Sequence, residues 1–226
     1  MAESLVGIGL YTPSEAGRLL DVPAGKIRRW LSGHEANGTY YPALWSPQVD
    51  LDDDTLHLGF RDLMELRTAH LFLREGISAQ AIRKAIGIAR EMIGDDRPLS
   101  TRRLKTDGKT IFLEVATTQD EPRLLDLLKR QYAFKRIVDA SLRDVEFSGN
   151  EPSKWYVGSR GSGVVVDPTR SFGQPIEEQT GIPTAVLAAA ARASGNVART
   201  ASEWEVPKRA VERALQFETD RTPKAA

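Results

Sequence analysis

Near the start of the chain, YTPSEAGRLLDVPAGKIRRWL (Tyr11 to Leu31) carries two apolar runs at helical spacing, Ala16, Leu19 and Leu20 and then Ile27, Trp30 and Leu31. Residues three and four apart share one helix face. The period breaks at Asp21-Val22 between the runs. Thr12 can cap the first helix, Pro13 suits its first position, and Glu15 is placed to reach back to the free amides. The pattern predicts two short helices joined by a tight turn, the grammar of a helix-turn-helix. With Ile27, Trp30 and Leu31 inward, Gly25 and Arg29 point outward and Lys26 and Arg28 flank them. An exposed helix face with several cations and no bulky obstruction suits phosphate and guanine-edge contacts. An ordinary solvated helix hairpin is the plainer reading.

The next segment, SGHEANGTYYPALWSPQVDLDDDTLHLGF, is rich in Gly, Pro, Asn and Asp, with apolar bursts around Tyr40, Leu44 and Leu56 to Phe60. It predicts two short strands around a loop, which can lie beside the second helix as a wing. Leu63, Leu66, Ala69 and Leu73 then mark a helix ended by Gly76, and Ser78 caps another bearing Ile82, Ile86 and Ala89. From Pro98 the pattern changes. TRRLKTDGKTIFLEV reads as two strand-like runs joined by Asp107-Gly108, a tight-hairpin signal. Asp120 and Pro122 open a helix bearing Leu125, Leu128, Ile137 and Val138, and Val145 to Asp167 suggests further short strands. GSRGSG lacks the lysine and following helix of a phosphate loop and reads as a turn.

The last part predicts three helices, about Pro183 to Ala193 ended by Gly195, about Val197 to Trp204, and about Pro207 to Phe217. Their expected inward faces are Val186, Leu187 and Ala190, then Val197, Ala201 and Trp204, then Val211, Ala214 and Leu215. So alanine-rich a core would depend on Trp204 and Phe217. The turn Glu205-Val206 repeats Asp21-Val22, giving a second helix-turn-helix whose outer face carries Arg209, Glu212, Arg213 and Gln216. Trp30 and Trp204 fall in phase with apolar positions and read as core anchors, whereas Trp45 and Trp155 suit either a protein interface or packing under a loop.

Composition narrows the function classes. The 226 residues, 41% hydrophobic and 27% charged, suit one large or two small globular domains. MAESLVGIGLYTP has no signal-peptide pattern and no long apolar run occurs, so a cytoplasmic protein with no membrane partner is expected. Without cysteine, and with His34, His57 and His70 scattered, no metal site, cofactor site or thiol nucleophile is expected. No Ser-His-Asp set or paired-acid site assembles, Asp52 and Asp53 being adjacent, so the chain is expected not to be an enzyme. The 31 basic residues are cancelled by 31 acidic ones, which counts against nucleic acid for the molecule as a whole. Charge is nonetheless clustered. Asp50, Asp52, Asp53 and Asp54 form an acidic knot, and Arg97, Arg102, Arg103, Lys105 and Lys109 a basic one. The basic knot reads first as solvated surface and next as a second DNA or toxin contact.

YTPSEAGRLLDVPAGKIRRW is similar to the N-terminal motif of MerR-type winged-helix regulators, and FRDLMELRTAHLFLREGISAQAIRKAI to the helices that follow their wing. SFGQPIEEQTGIPTAVLAAAARASGNVARTASEWEVPKRAVERAL resembles the homeodomain-like domain of unknown function found in many VapB-type antitoxins. The chain departs from these families in lacking the long dimerising helix and metal-sensing cysteines of many MerR regulators. It also has Gly181 where an arginine often precedes Ile-Pro.

The resemblance implies a type II antitoxin that silences its own operon and neutralises a PIN-type ribonuclease toxin. Against the acidic, metal-binding active site of such a toxin, a basic side chain or a blocked entrance is expected. A ligand-responsive MerR-like transcriptional regulator without a toxin is the alternative. The expected fold class is α+β, with a winged helix-turn-helix DNA-binding region in residues 1–95, a mixed β-hairpin and helix connecting region in 96–170, and a three-helix homeodomain-like antitoxin domain in 171–226. Candidate DNA-contacting residues are Thr12, Lys26, Arg28, Arg29, His34, Arg102 and Arg103. Candidate toxin-contacting residues are Arg209, Arg213 and Gln216 on the last helix, with Arg221 and Lys224 in the polar tail ETDRTPKAA, for which a frayed end without function is the plainer reading. A homodimer is expected, since repressors gain affinity by two-fold pairing on half-sites about 34 Å apart.

Overall fold

Helix α1 (Pro13–Leu20) begins with the anticipated reciprocal cap. The Glu15 amide donates to Thr12 Oγ1 (3.3 Å) and the Thr12 amide to Glu15 Oε2 (2.8 Å). Asp21 turns the chain in the left-handed region (φ 56°), the Val22 amide donates to the Gly17 carbonyl (2.9 Å), and Pro23 opens helix α2 (Ala24–Ser32). The turn closes over a bare backbone: a Cβ on Gly17 would stand 2.4 Å from the Val22 carbonyl oxygen. These coordinates are a computed structural model that describes residues 7–51, 53–118 and 122–221.

Strands β1 (His34–Ala36) and β2 (Thr39–Tyr41) form an antiparallel hairpin around Asn37 and Gly38, both at positive φ as a two-residue hairpin turn requires. Of the apolar bursts read as its strands, only Tyr40 lies in it. Leu58 makes an isolated bridge with Tyr11, and Phe60 starts helix α3 (Phe60–Arg74) because the Asp62 carboxylate accepts the Gly59 amide at 3.1 Å. Ser78 caps helix α4 (Ala79–Ile93) through the Ala81 amide, as expected.

Residues 104–118 overturn the expected hairpin. They form helix α5 (Leu104–Thr118), with Leu104, Gly108, Ile111, Phe112, Val115 and Ala116 buried. These positions also satisfy a helical period, and packing decides between the two: the Phe112 ring stacks on Phe72 at 4.4 Å and meets Phe134 edge-on at 5.5 Å. Gly108 falls inside the helix, and Asp107 pairs with Arg103 one turn earlier. The helix expected after it is two, α6 (Pro122–Lys129) and α7 (Gln131–Leu142), broken at Arg130 (φ −82°, ψ 69°). Asp120, read as part of its start, lies outside the described residues, as do Asp52 and Lys224.

Strands β3 (Val145–Ser148), β4 (Glu151–Tyr156), β5 (Val164–Val166) and β6 (Pro175–Glu177) pair consecutively in one antiparallel sheet, with the glycine-rich segment turning between β4 and β5. The fold is thus α+β. Helices α8 (Thr184–Ser194), α9 (Val197–Glu203) and α10 (Lys208–Asp220) close the described chain. The α9–α10 turn repeats the first one: Glu205 is left-handed (φ 53°), the Val206 amide donates to Ala201 (3.0 Å), and Pro207 opens the next helix.

The inner seam of this trio keeps Leu187, Ala201, Val211 and Ala214 of the expected faces but leaves out Val186 and Trp204. It is built on Ala191, Ala201 and Val211, with Leu187 and Ala188 inward and Val186 exposed. Helices meeting through alanines leave no room for an indole, so Trp204, the C-cap of α9, is 41% exposed. Phe217 is buried instead in the main core, which runs from Tyr11 through α3, α4, α5 and α7 to β3, β4 and β5. The N-terminal region and the C-terminal part are further tied by Tyr11 Oη donating to the Gly173 carbonyl (2.8 Å) and by Arg18 with Glu218 (3.5 Å), whose carboxylate also accepts from Thr184 Oγ1 of α8 (2.6 Å).

Candidate nucleic-acid interface

In α2 the side chains of Ile27, Trp30 and Leu31 are buried, and this fixes which way the cations face. Arg28 and Arg29 are exposed, and neither forms an ion pair among the described residues. Lys26 is half-buried, its ammonium 5.0 Å from the centre of the Trp30 ring, where a cation is attracted to the π face. The β1–β2 hairpin stands next to this helix. Tyr40 and Tyr41 are 62% and 47% exposed, and His34 stacks on Tyr41 at 5.1 Å. An open groove of about 540 Å³ lies between them, with Arg29, Trp30, His34, Tyr40, Tyr41 and Arg83 on its walls.

The hairpin is held at a set distance from the helices. Arg83 of α4 donates through Nε to the Ala43 carbonyl (2.8 Å) and through Nη2 to the Pro42 carbonyl, while the Leu44 amide donates to the Trp30 carbonyl (2.7 Å). Burial of the Arg83 guanidinium lowers its pKa from the usual arginine value. Gly33 (φ 70°) permits the exit from α2, since a Cβ there would come within 2.8 Å of both the Tyr40 hydroxyl and the Tyr41 carbonyl. A rigid support of this kind limits the entropy lost when a surface engages a partner.

The other predicted contacts divide. Thr12 spends its hydroxyl on the cap with Glu15. His34 is the first residue of β1 and stacks on Tyr41 across the hairpin, beside the exposed face of α2. Arg102 lies over the Phe147 ring at 5.4 Å, and Arg103 pairs with Asp107 (2.9 Å) and donates to the Ile93 carbonyl (3.0 Å), partners outside α2 and the hairpin. The basic knot is therefore split by the helix that replaced the hairpin, with Arg97 committed to buried Asp62. Tyr41 and Arg83 were not singled out from the sequence. The signal for Tyr41 was Thr-Tyr-Tyr after an Asn-Gly turn, whereas Arg83 looks like any exposed helix arginine.

On α10 the expected open face is partly occupied. Arg213 pairs with the fully buried Glu177 at 3.1 Å, and Arg209 donates to Gln179 at 3.3 Å, because this face lies against the β5–β6 end of the sheet. Gln216 donates to Asp220 (2.7 Å). Arg221 is no free tail cation: its guanidinium lies 4.4 Å from the Phe217 ring, and burial lowers its pKa. Among the described residues, no group of three histidine or acidic side chains is placed to hold a metal ion, and no helix is long and apolar enough to cross a membrane.

No protein-family model matches the chain. A curated Mycobacterium tuberculosis protein named "Putative antitoxin VapB45" is 28% identical over 214 residues, 88% of this chain and 89% of the relative. This chain is similar to a protein named as an antitoxin. The X-ray crystal structure of Rv2018 from Mycobacterium tuberculosis superposes with a TM-score of 0.72 at 25% identity, covering 93% of this chain and 99% of that one. The likeness therefore spans nearly the whole fold and is not confined to one helix pair.

Proposed function

We propose that the chain is the antitoxin of a type II toxin–antitoxin pair, binding and neutralising a PIN-type ribonuclease and repressing its own operon. In this reading α1, α2 and the β1–β2 hairpin are a MerR-like winged helix-turn-helix, and a homodimer sets two of them on two half-sites. The observation that carries the DNA part is the pair of exposed arginines on α2, Arg28 and Arg29, without ion-pair partners among the described residues and beside a braced hairpin with exposed tyrosines. Whole-length similarity to a named antitoxin supports the toxin part.

The three C-terminal helices are the homeodomain-like antitoxin domain, and toxin contact centres on Trp204, Arg209 and Gln216. Exposed tryptophan and arginine side chains are the types that most often anchor protein interfaces. Arg213 and Arg221 support the fold in this account.

The test pairs a gel shift on DNA upstream of the gene with co-purification of the neighbouring gene product. The variant Lys26→Ala, Arg28→Ala, Arg29→Ala should lose operator binding while still retaining the nuclease. Arg29→Ala alone should cost roughly 1 to 3 kcal/mol where it reads a base. Unchanged operator affinity in the folded triple variant would refute the DNA assignment. Failure of the full-length chain to retain or inhibit the nuclease would refute the antitoxin assignment.

A further inference from the structure

Helices α5, α6 and α7 line a pocket of about 310 Å³ that shares no residue with the α2–hairpin groove or with α10. Its floor is apolar, made by Leu128, Phe134 and Val138. The Phe134 ring is fixed from behind by Phe112 and Phe72, at centroid distances of 5.5 and 5.7 Å. Gly108 of α5 is buried facing this floor, where a Cβ would stand 3.6 Å from Phe134 Cζ, an ordinary packing distance.

The mouth has the opposite character. Lys105 and Lys109, one turn apart on α5, and Lys135 on α7 all line it. One carboxylate, Asp139, stands among them, with Oδ1 3.5 Å from Lys105 Nζ. Lys109 and Lys135 form no ion pair among the described residues, so the rim keeps a positive excess.

We propose that this pocket binds a small amphiphilic monoanion, an aromatic or branched aliphatic carboxylate. Its apolar body lies on Phe134, Val138 and Leu128, and its carboxylate meets Lys109 and Lys135. The charge and the floor select this class together. Inorganic phosphate would leave the apolar floor wet, and a neutral hydrocarbon would gain nothing from the lysines while impeding their hydration. The volume is at the small end of ligand sites, which suits one or two rings. The lysine stems add apolar wall while their ammonium groups stay at the water boundary.

The experiment titrates the full chain with 1-naphthoate and with the neutral isostere 1-naphthamide, using calorimetry and amide chemical-shift mapping. Saturable binding of naphthoate with Kd of about 1 mM or tighter is expected, with shifts concentrated in residues 104–139. Lys109→Glu combined with Lys135→Glu changes only exposed side chains, and the variant's circular dichroism should match that of the parent. It should weaken naphthoate by about tenfold or more, since each attractive contact to an exposed cation is replaced by a repulsive one. Naphthamide binding should be unaltered by the same pair. No saturation below about 10 mM, shifts centred elsewhere, or naphthoate affinity indifferent to the double variant would each overturn the proposal.

Discussion

Glu65 is fully buried in α3, and neither carboxyl oxygen accepts a well-formed hydrogen bond from a described residue. Burial raises its pKa from 4.5 to about 8, with the Leu99 backbone and the Arg97 guanidinium offsetting part of that penalty. The folded chain therefore holds this proton where the unfolded chain releases it. Stability changes with pH as 2.303RT times the protons bound unfolded minus folded, which here is negative between the two pKa values. The contribution is complete below about pH 4.5 and is lost progressively up to about pH 8, at about 1.4 kcal/mol per pH unit and about 5 kcal/mol in all. Glu65→Gln keeps the size and resembles the neutral acid but cannot ionise. Urea unfolding followed by tryptophan fluorescence, with Trp30, Trp45 and Trp155 buried as reporters, should show variant and parent within about 1 kcal/mol at pH 5. By pH 8 the variant should be ahead by about 4 kcal/mol. Parallel stability curves from pH 5 to 9 would refute the reasoning, because every other titrating group is common to both proteins.

Gly17→Ala puts a methyl into the Val22 carbonyl oxygen and should cost about 2 kcal/mol or more, read as a lowered melting temperature; an unchanged melting curve would show that the α1–α2 turn has slack. Arg213→Ala leaves buried Glu177 without its cation and should destabilise by about 3 kcal/mol, whereas Arg209→Ala, which removes an exposed contact to Gln179, should cost under about 0.5 kcal/mol; equal costs in urea titrations would contradict the buried-pair account. Trp204→Ala should leave stability within about 1 kcal/mol while weakening toxin capture in co-purification, and a large loss of stability would return Trp204 to the core.

The features legible in the chain were those whose causes lie within a few residues. The Thr12–Glu15 cap, the Ser78 cap, the Gly195 stop and the twin turns at Asp21 and Glu205 each depend on local hydrogen bonds and φ preferences, so the residue types alone announce them. The inward face of α2, and with it the exposure of Arg28 and Arg29, followed from periodicity.

What escaped was decided at a distance. Residues 104–118 satisfy both a hairpin signal and a helical period, and the choice went to the helix because Phe112 meets Phe72 and Phe134, one far upstream and one downstream. Trp204 suited a core position by phase, yet the alanine seam of its neighbours closed too tightly to admit it. The role of Arg213 depends on Glu177, and that of Arg83 on the Pro42 and Ala43 carbonyls, partners brought near only by the fold. The pocket over Phe134 joins lysines from two helices of which one was read as strands. Local sequence determines backbone preference and the apolar face of each element. Which charges stay free, which are buried against a partner and where a cavity remains are settled only when distant segments compete for the same interior space.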